Sequence, residues 1–207
     1  MPDPALARVV SSHDLLTHSF YQRWVAGDLS LGELREYACQ YAFAARALPR
    51  WLRAAAAADA GNSATLSAHA AEEEAHVGLW EDFARALGVT DADLVASTPN
   101  PATASLLAAG ERACDEGSAL AAAWALEVQT PRVSESKLQG LRDFYDIGPG
   151  NGGRYFELHA TRDLEHAAEL EALIEASPAR AAAPVAADAV LTGLWDLLSS
   201  VERAPVS

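Results

Sequence analysis

Apolar residues recur at spacings of three and four along nearly the whole chain, and β-branched residues rarely alternate with polar ones. Such spacing places apolar side chains on one face of an α-helix. The pattern therefore predicts an all-α protein with seven helices, whose ends are uncertain by about 2–4 residues. The predicted helices cover residues 4–27, 31–58, 64–88, 101–130, 132–146, 153–176 and 183–202.

Residues that favour helix ends separate these segments. Ser30 and Glu33 match the capping box, in which the two side chains satisfy free N–H groups of the first turn. Gly88 falls at a helix end, Thr90 can cap a short turn, and Pro131 suits the first turn of the next helix. With no internal repeat or linker, we expect one domain over residues 1–207, in which the helices pack into a bundle.

Composition narrows the classes of partner. The net charge of -14 disfavours nucleic acid and anionic membrane surfaces, because phosphate binding needs clustered Lys and Arg. The longest apolar run, residues 119–126, is shorter than the roughly 20 residues of a membrane span. The N-terminus lacks the basic region and apolar core of a secretory signal, so we expect a cytoplasmic protein. Cys39 and Cys114 lack a CxxC spacing and predict no disulfide framework.

Three residues with metal-binding side chains share one face of the helix predicted at 153–176. At about 100° per residue, His159, Asp163 and His166 lie at roughly 0°, 40° and -20° around the helix axis. Glu165 points about 120° away from His159 and does not belong to this set. The pattern H-x3-D-x2-H therefore indicates a metal site as strongly as it indicates hydrogen-bonded helix residues.

A second group of candidate ligands lies in the sequence AAEEEAHVGLW. Glu73 and Glu72 stand three and four residues before His76, so either acid can share a helix face with the imidazole. Carboxylate-bridged di-metal bundles use the E-x-x-H spacing. His69, seven residues before His76, lies on the same face and is an alternative ligand or a supporting group.

The third candidate, Glu127, is the only acid in the apolar segment 119–130. A buried carboxylate is costly unless it is paired, for example with Arg132, or bound to a metal. Oxygen and imidazole ligands without thiolates suit iron or manganese, and also zinc. Two divalent ions would offset the charges of Glu73, Glu127 and Asp163 and explain how these acids tolerate burial.

Lys137 is the only lysine among the 15 basic residues. Arginine stays charged near neutral pH and is a poor nucleophile, whereas a buried lysine can lose its proton. Lys137 is therefore a candidate nucleophile or nitrogen donor, unless its presence is an accident of composition.

Four segments resemble the haem-oxygenase-like proteins of the TenA, PqqC and CADD group. The segment HSFYQRWVAGDLSLGELREYACQYAFAARALPRWL is similar to the opening of that group. EEEAHVGLWEDFARALGV, LEVQTPRVSESKLQGLRDFY and YFELHATRDLEHAAE resemble the CADD-like branch and its relatives, the haem-oxygenase-like di-metal oxidases. The resemblance implies a seven-helix haem-oxygenase-like bundle with a dinuclear iron or iron–manganese centre that uses O2 as co-substrate.

The resemblance also assigns roles to residues of this chain. The six metal ligands it implies are Glu73, His76, Glu127, His159, Asp163 and His166. The short E-x-x-H spacing is closer to the relative that converts fatty acids to terminal alkenes, and it leaves Glu72 as an alternative first ligand.

The CADD-like branch is known for a self-sacrificing synthesis of p-aminobenzoate from one of its own tyrosines. The resemblance implies that Tyr21 supplies the ring, that Tyr37 assists and that Lys137 donates the amino group. Tyr41 and Tyr155 match pocket tyrosines of the family. The substrate would then be the protein's own side chains, and an external reductant would be needed.

Leu126 and Ala42 replace two tyrosines of the family. These changes predict a roomier, more apolar pocket, which suits an external small-molecule substrate such as an amino-acid or fatty-acid derivative of a tailoring pathway. A third hypothesis is a non-catalytic protein-interaction module. A homodimer is compatible with all three hypotheses.

Overall fold

The computed structural model describes residues 3–202, and every regular element in that range is helical. The all-α prediction is therefore confirmed, with ten α-helices in these residues where the periodicity predicted seven. They are α1 (Pro4–Ser12), α2 (Ser19–Ala26), α3 (Leu31–Ala58), α4 (Ser63–Ala86), α5 (Asp91–Ala96), α6 (Pro101–Asp115), α7 (Ala119–Glu127), α8 (Thr130–Phe144), α9 (Arg154–Ala176) and α10 (Ala183–Glu202).

The additional helices arise where local side-chain and backbone preferences interrupt the apolar periodicity. The predicted helix 4–27 breaks because Asp14 and His18 each accept a hydrogen bond from the backbone N–H two residues ahead. These bonds begin a 3-10 turn and α2. The predicted helix 101–130 breaks at Gly117, which has a φ of 78°, a left-handed conformation that favours glycine.

Several predicted helix ends are confirmed. Ser30 and Glu33 form the capping box of α3, with the Glu33 N–H 3.2 Å from Ser30 Oγ and the Ser30 N–H 2.8 Å from Glu33 Oε2. Thr90 caps α5, the element that begins at the predicted short turn. Pro131 lies in the first turn of α8.

The packing places α7 at the centre of the bundle. α7 contacts α3, α6, α9 and α10, while α3 packs along α4 and α8 packs along α9. Every residue of α7 except Leu120 is buried. Glu127, at the end of this apolar helix, is therefore carried into the interior, where its carboxylate faces α4 and α9.

A close contact joins α2 to α8. Trp24 Nε1 donates a hydrogen bond of 3.1 Å to the carbonyl oxygen of Lys137. A Cβ atom on Gly140 would lie 2.7 Å from Trp24 Cδ1, so glycine permits this approach. The contact holds Tyr21, one turn before Trp24 on α2, against the helix that carries Lys137.

Two further predictions concern the two cysteines and the apolar character of the helices. Cys39 and Cys114 are both free and only partly buried, so no disulfide joins them, as predicted. Among the helices of residues 3–202, none combines the length and the apolar character that crossing a membrane requires. The cytoplasmic location stays a prediction.

Candidate metal centre

Three helices bring together a group of buried acids and imidazoles. Each member of this group exposes at most 7% of its surface. Charged residues are rarely buried unless they are paired or bind a metal. The members are His69, Glu73 and His76 on α4, Glu127 on α7, and His159, Asp163 and His166 on α9.

The first cluster within this group contains two acids and two histidines. One ligand atom from each of His69, Glu73, Glu127 and His166 lies within 4.8 Å of the others. His69 Nε2 is 2.8 Å from Glu127 Oε1, and His166 Nδ1 is 3.7 Å from Glu73 Oε1. These atoms are close enough to share one metal ion.

The second cluster contains Glu73, His76 and His159. His76 Nδ1 lies 3.0 Å from Glu73 Oε1, and His159 Nε2 lies 3.5 Å from Glu73 Oε2. Glu73 is therefore common to both clusters. The structure brings five of the six predicted ligands into these clusters and adds His69.

Asp163, the sixth predicted ligand, is buried on the same face of α9 but lies outside both clusters. Burial raises its pKa to about 9, although the charge of His159 opposes the shift and the charge of Glu127 adds to it. Burial also raises the pKa of Glu127 well above its usual value, and the charge of Glu73 adds to that shift. A divalent cation nearby would favour the ionised form of both acids.

Glu73 differs from these two acids. Burial would raise its pKa, but hydrogen bonds and charges from His159 and His76 outweigh burial and hold the pKa below its usual value. Glu73 is therefore the anionic carboxylate at the centre of the group.

Four buried ligand atoms lack hydrogen-bond partners in residues 3–202. They are Glu127 Oε2, His159 Nε2, Asp163 Oδ1 and His166 Nδ1. Buried polar atoms without partners are rare, and each one needs a physical explanation. Because all four are oxygen or imidazole donors from the same group of residues, they fit metal binding, which would satisfy them together.

The neighbouring acid Glu72 has a different environment. Arg162 holds its carboxylate through two contacts, 2.7 Å from Nε to Oε1 and 3.0 Å from Nη2 to Oε2. The Glu72 side chain is 31% exposed, whereas that of Glu73 is 4% exposed. The geometry favours Glu73 over Glu72 as a ligand. The alternative pairing of Glu127 with Arg132 does not occur, since Arg132 is exposed and approaches Asp14 instead.

The ring of His159 is oriented by its neighbours on α9. Its Nδ1 lies 2.7 Å from the carbonyl oxygen of Tyr155, and the Tyr155 ring stacks on it with centroids 3.9 Å apart. A hydrogen bond from Nδ1–H to a backbone carbonyl leaves Nε2 free to bind a metal.

A pocket of tyrosines beside the metal ligands holds the single lysine. Tyr21, Tyr37, Tyr41 and Tyr155 line it together with Lys137. Its cavity measures about 20 Å³, and a single water needs about 10–15 Å³ by this measure. Leu126 lines the cavity and Ala42 does not. The cavity therefore has room for about one water molecule, because the protein's own side chains fill the rest of the pocket.

Lys137 is 4% exposed, and its Nζ donates a hydrogen bond to the Tyr37 hydroxyl. Nζ also lies 5.2 Å from the centre of the Tyr21 ring. Burial lowers the pKa of Lys137 well below its usual value. No carboxylate forms an ion pair with Lys137 in residues 3–202, so the pocket favours the neutral amine.

Two parts of this pocket were not predicted from the sequence. Three leucines of α10 line the cavity, although their sequence pattern is that of any apolar helix face; they are Leu194, Leu197 and Leu198. Trp80, which supports the pocket from outside its lining, packs against two of the tyrosines, with its ring centre 4.6 Å from that of Tyr41 and 4.9 Å from that of Tyr155.

Comparison with known proteins identifies the class to which this fold and this site belong. Residues 35–200 match the family described as iron-containing redox enzymes with a haem-oxygenase-like fold, and the chain belongs to that family. The protein is accordingly an oxidoreductase, and the non-catalytic hypothesis is not favoured.

Its relatives include several proteins named 4-aminobenzoate synthase. The chain is 30% identical to the one from Chlamydia pneumoniae, with 94% of this chain and 92% of that protein covered. It is 32% identical to the one from Chlamydia trachomatis, over 81% and 76% of the two chains. Identity to the one from Nitrosomonas europaea is 31%, over 94% and 88%.

Solved structures support the fold alone. A TenA homologue from Pseudomonas syringae superposes with a TM-score of 0.80 at 16% identity, over 98% of this chain and 94% of that one. A domain with a haem-oxygenase-like fold from Shewanella denitrificans gives a TM-score of 0.76 at 16% identity, over 95% and 90%. The predicted haem-oxygenase-like bundle is confirmed.

Proposed function

We propose that this protein is an O2-dependent di-metal enzyme that makes 4-aminobenzoate (p-aminobenzoate) from its own Tyr21, with Lys137 as the amino donor. The observation that carries this proposal is the position of the only lysine. Lys137 is buried with its amine against the Tyr37 hydroxyl and beside the Tyr21 ring. The names of the relatives support the same product.

The metal centre would be held by the predicted ligands, with Glu73 contributing to both metal positions. Two iron ions, or one iron and one manganese, would supply the O2-activating redox chemistry. Carboxylate and imidazole donors suit these metals. The predicted ligand set is Glu73, His76, Glu127, His159, Asp163 and His166.

The product defines which bonds must change. 4-Aminobenzoate keeps the Tyr21 ring and its Cβ carbon, so the Cα–Cβ bond breaks and Cβ is oxidised to a carboxylate. The Lys137 nitrogen bonds to the ring carbon that bore the hydroxyl, the ring C–O bond breaks and its oxygen leaves as water. The Nζ–Cε bond then breaks, and Cε of Lys137 is left as an aldehyde. O2 is the oxidant, and an external reductant supplies the other electrons needed to reduce it. Each protein molecule would react once.

The side chains of the pocket prepare this reaction. Tyr37 accepts the hydrogen bond from Lys137 and thereby positions the amine, while burial favours the neutral, nucleophilic form. Burial raises the pKa of Tyr21 and Tyr41 above their usual values, so both hydroxyls are protonated near neutral pH. The closed apolar wall keeps bulk water away from the reacting groups.

A second candidate function is the oxidation of an external apolar molecule. The leucines of α10 and Leu126 favour it, because they give one end of the cavity an apolar lining. A substrate would have to displace side chains to enter a space of about 20 Å³. The small cavity therefore favours the reaction of the protein's own tyrosine.

The single lysine allows a direct experiment. Protein made with ¹⁵N-lysine and without a lysine-containing tag carries that label at Lys137 alone. After anaerobic loading with Fe(II), O2 and a reductant are admitted, and the released product and the intact protein are analysed by mass spectrometry. We expect ¹⁵N-labelled 4-aminobenzoate and mass losses that map to Tyr21 and Lys137.

The matched control is Lys137→Arg, which keeps a long basic side chain but lacks the donor amine. This variant should release no 4-aminobenzoate. Unlabelled product, or product from the arginine variant, would contradict the role of Lys137. An unchanged protein mass together with O2 consumption would favour an external substrate, and failure to bind iron or manganese would reject both functions.

A further inference from the structure

His69 has the same environment as the predicted ligands. It is 6% exposed, its Nε2 lies 2.8 Å from Glu127 Oε1, and its ring centre lies 3.7 Å from that of His166. Metal–nitrogen and metal–oxygen bonds of about 2.1 Å place neighbouring ligand atoms about 3 Å apart and opposite ones about 4 Å apart. Two distances in the first cluster, 2.8 Å from His69 to Glu127 and 3.7 Å from His166 to Glu73, fall in this range.

The two helices that carry the histidines repeat one pattern. Counting from His69, α4 reads H-x3-E-x2-H, and counting from His159, α9 reads H-x3-D-x2-H. The three side chains of each pattern therefore fall on one helix face, at roughly 0°, 40° and -20° around the axis. Without His69, the pattern on α4 has no first member.

The tertiary structure pairs these patterns in opposite order. The first histidine of α4 meets the last histidine of α9, with 3.7 Å between the ring centres of His69 and His166. The last histidine of α4 meets the first of α9, with 4.8 Å between His76 and His159. The result is two imidazole pairs, one in each cluster, and Glu73 belongs to both clusters.

We infer that His69 is a metal ligand, so that one metal position is formed by His69, Glu127, His166 and the shared Glu73. The other position is formed by His76 and His159 with Glu73, and Asp163, buried on the same face of α9, remains a predicted ligand of the centre. This inference rests on the proposed di-metal centre and adds a fourth imidazole to it. The competing role for His69 is a hydrogen-bond donor that holds Glu127 without touching the metal.

The test counts coordinated histidines without relying on catalysis. Protein labelled with ¹⁵N-histidine is loaded anaerobically with Co(II), and the metal-shifted imidazole N–H signals are counted by NMR. Bound metal is measured in parallel. We expect one signal for each of His69, His76, His159 and His166. Three signals in the wild-type protein would overturn the inference, and this count does not depend on any variant folding.

The variant His69→Gln separates the two roles of His69, because glutamine can still donate a hydrogen bond to Glu127. We expect it to lose one shifted signal and to bind one Co(II) fewer per molecule, a larger loss than the roughly 10–100-fold weakening that follows when only a supporting hydrogen-bond partner is removed. His18→Gln is the matched control, since His18 is also buried but hydrogen-bonds to Ser199. Its Co(II) binding and signals should match the wild type.

An unchanged stoichiometry, affinity and signal count in His69→Gln would overturn the inference. Loss of the signal in a protein that forms no 4-aminobenzoate would support His69 as a ligand while contradicting the proposed function. A wild-type protein that binds no metal would contradict both.

Discussion

Lys137 should make the protein less stable at neutral pH than it would be with an apolar side chain at this position. The substitution Lys137→Met removes the amine and keeps a long, unbranched side chain. Lys137 is buried, and its amine has a hydrogen bond to Tyr37 and no carboxylate partner in residues 3–202. We therefore expect the variant to unfold at a higher urea concentration than the wild type.

The sign and size of the effect follow from proton linkage. Burial lowers the pKa of Lys137 in the folded protein, while the unfolded chain keeps a value near 10.4. Between these two values the unfolded state binds a proton that the folded state does not, so wild-type stability rises with pH. At pH 7 the penalty is at most about 5 kcal/mol, at about 1.4 kcal/mol per pH unit.

Lys137→Met removes this penalty but also the hydrogen bond to Tyr37, whose loss costs about 1 kcal/mol. The net effect of Lys137→Met at pH 7 should therefore be a stabilisation of at most about 4 kcal/mol. For a chain of this size, each kcal/mol corresponds to about 2–4 °C in Tm. The same variant should form no 4-aminobenzoate, so the lysine would lower stability in return for function.

The assay is urea unfolding of metal-free protein at pH 7, 8 and 9, followed by circular dichroism. The advantage of Lys137→Met should shrink by up to about 1.4 kcal/mol for each pH unit. Leu138→Met, a conservative change at the next buried position, is the control and should cost less than about 1.5 kcal/mol at every pH. A less stable Lys137→Met variant, or a difference that does not change with pH, would refute this reasoning.

Three further predictions concern the parts around the site. Gly140→Ala should lower stability by about 1–3 kcal/mol in thermal unfolding, because its Cβ would lie 2.7 Å from a tryptophan ring. The control Gly78→Ala should not lower stability, because its Cβ would meet nothing within 4 Å, and equal effects of the two changes would contradict the packing argument. Tyr37→Phe should bind metal normally but release much less 4-aminobenzoate, measured by chromatography, because the Lys137 amine loses its hydrogen-bond acceptor. An undiminished yield would count against a positioning role for Tyr37. Elemental analysis should show that Glu73→Gln loses bound iron and that Glu72→Gln keeps it. Loss of iron from Glu72→Gln but not from Glu73→Gln would identify Glu72 as the ligand instead.

The helices and the faces that carry the ligands could be predicted because they depend on residues close together in sequence. The spacing of His159, Asp163 and His166 places them on one face of any helix that forms there. The capping box of Ser30 and Glu33 likewise acts within one turn. The breaks at His18 and Gly117 were missed because a single side-chain hydrogen bond or a single left-handed residue outweighs the apolar periodicity.

The choice between Glu72 and Glu73 could not be predicted from the sequence. The two acids lie about 100° apart on α4, and each has a spacing compatible with His76. Only the packing of α4 against α9 decides between them. It turns Glu73 into both clusters and leaves Glu72 at the rim, where Arg162 of α9 binds it.

The sequence by itself determined the helical class, the candidate metal ligands on each helix and the presence of a single lysine. The tertiary structure alone decided that α4 and α9 pair their histidines in opposite order and that His69 joins them. It also decided that Lys137 reaches Tyr37 from a position 100 residues away and that leucines of α10 line the cavity of about 20 Å³ beside it. The physical reason is that local periodicity defines the face of a helix, while the partner of that face depends on packing between segments far apart in the chain.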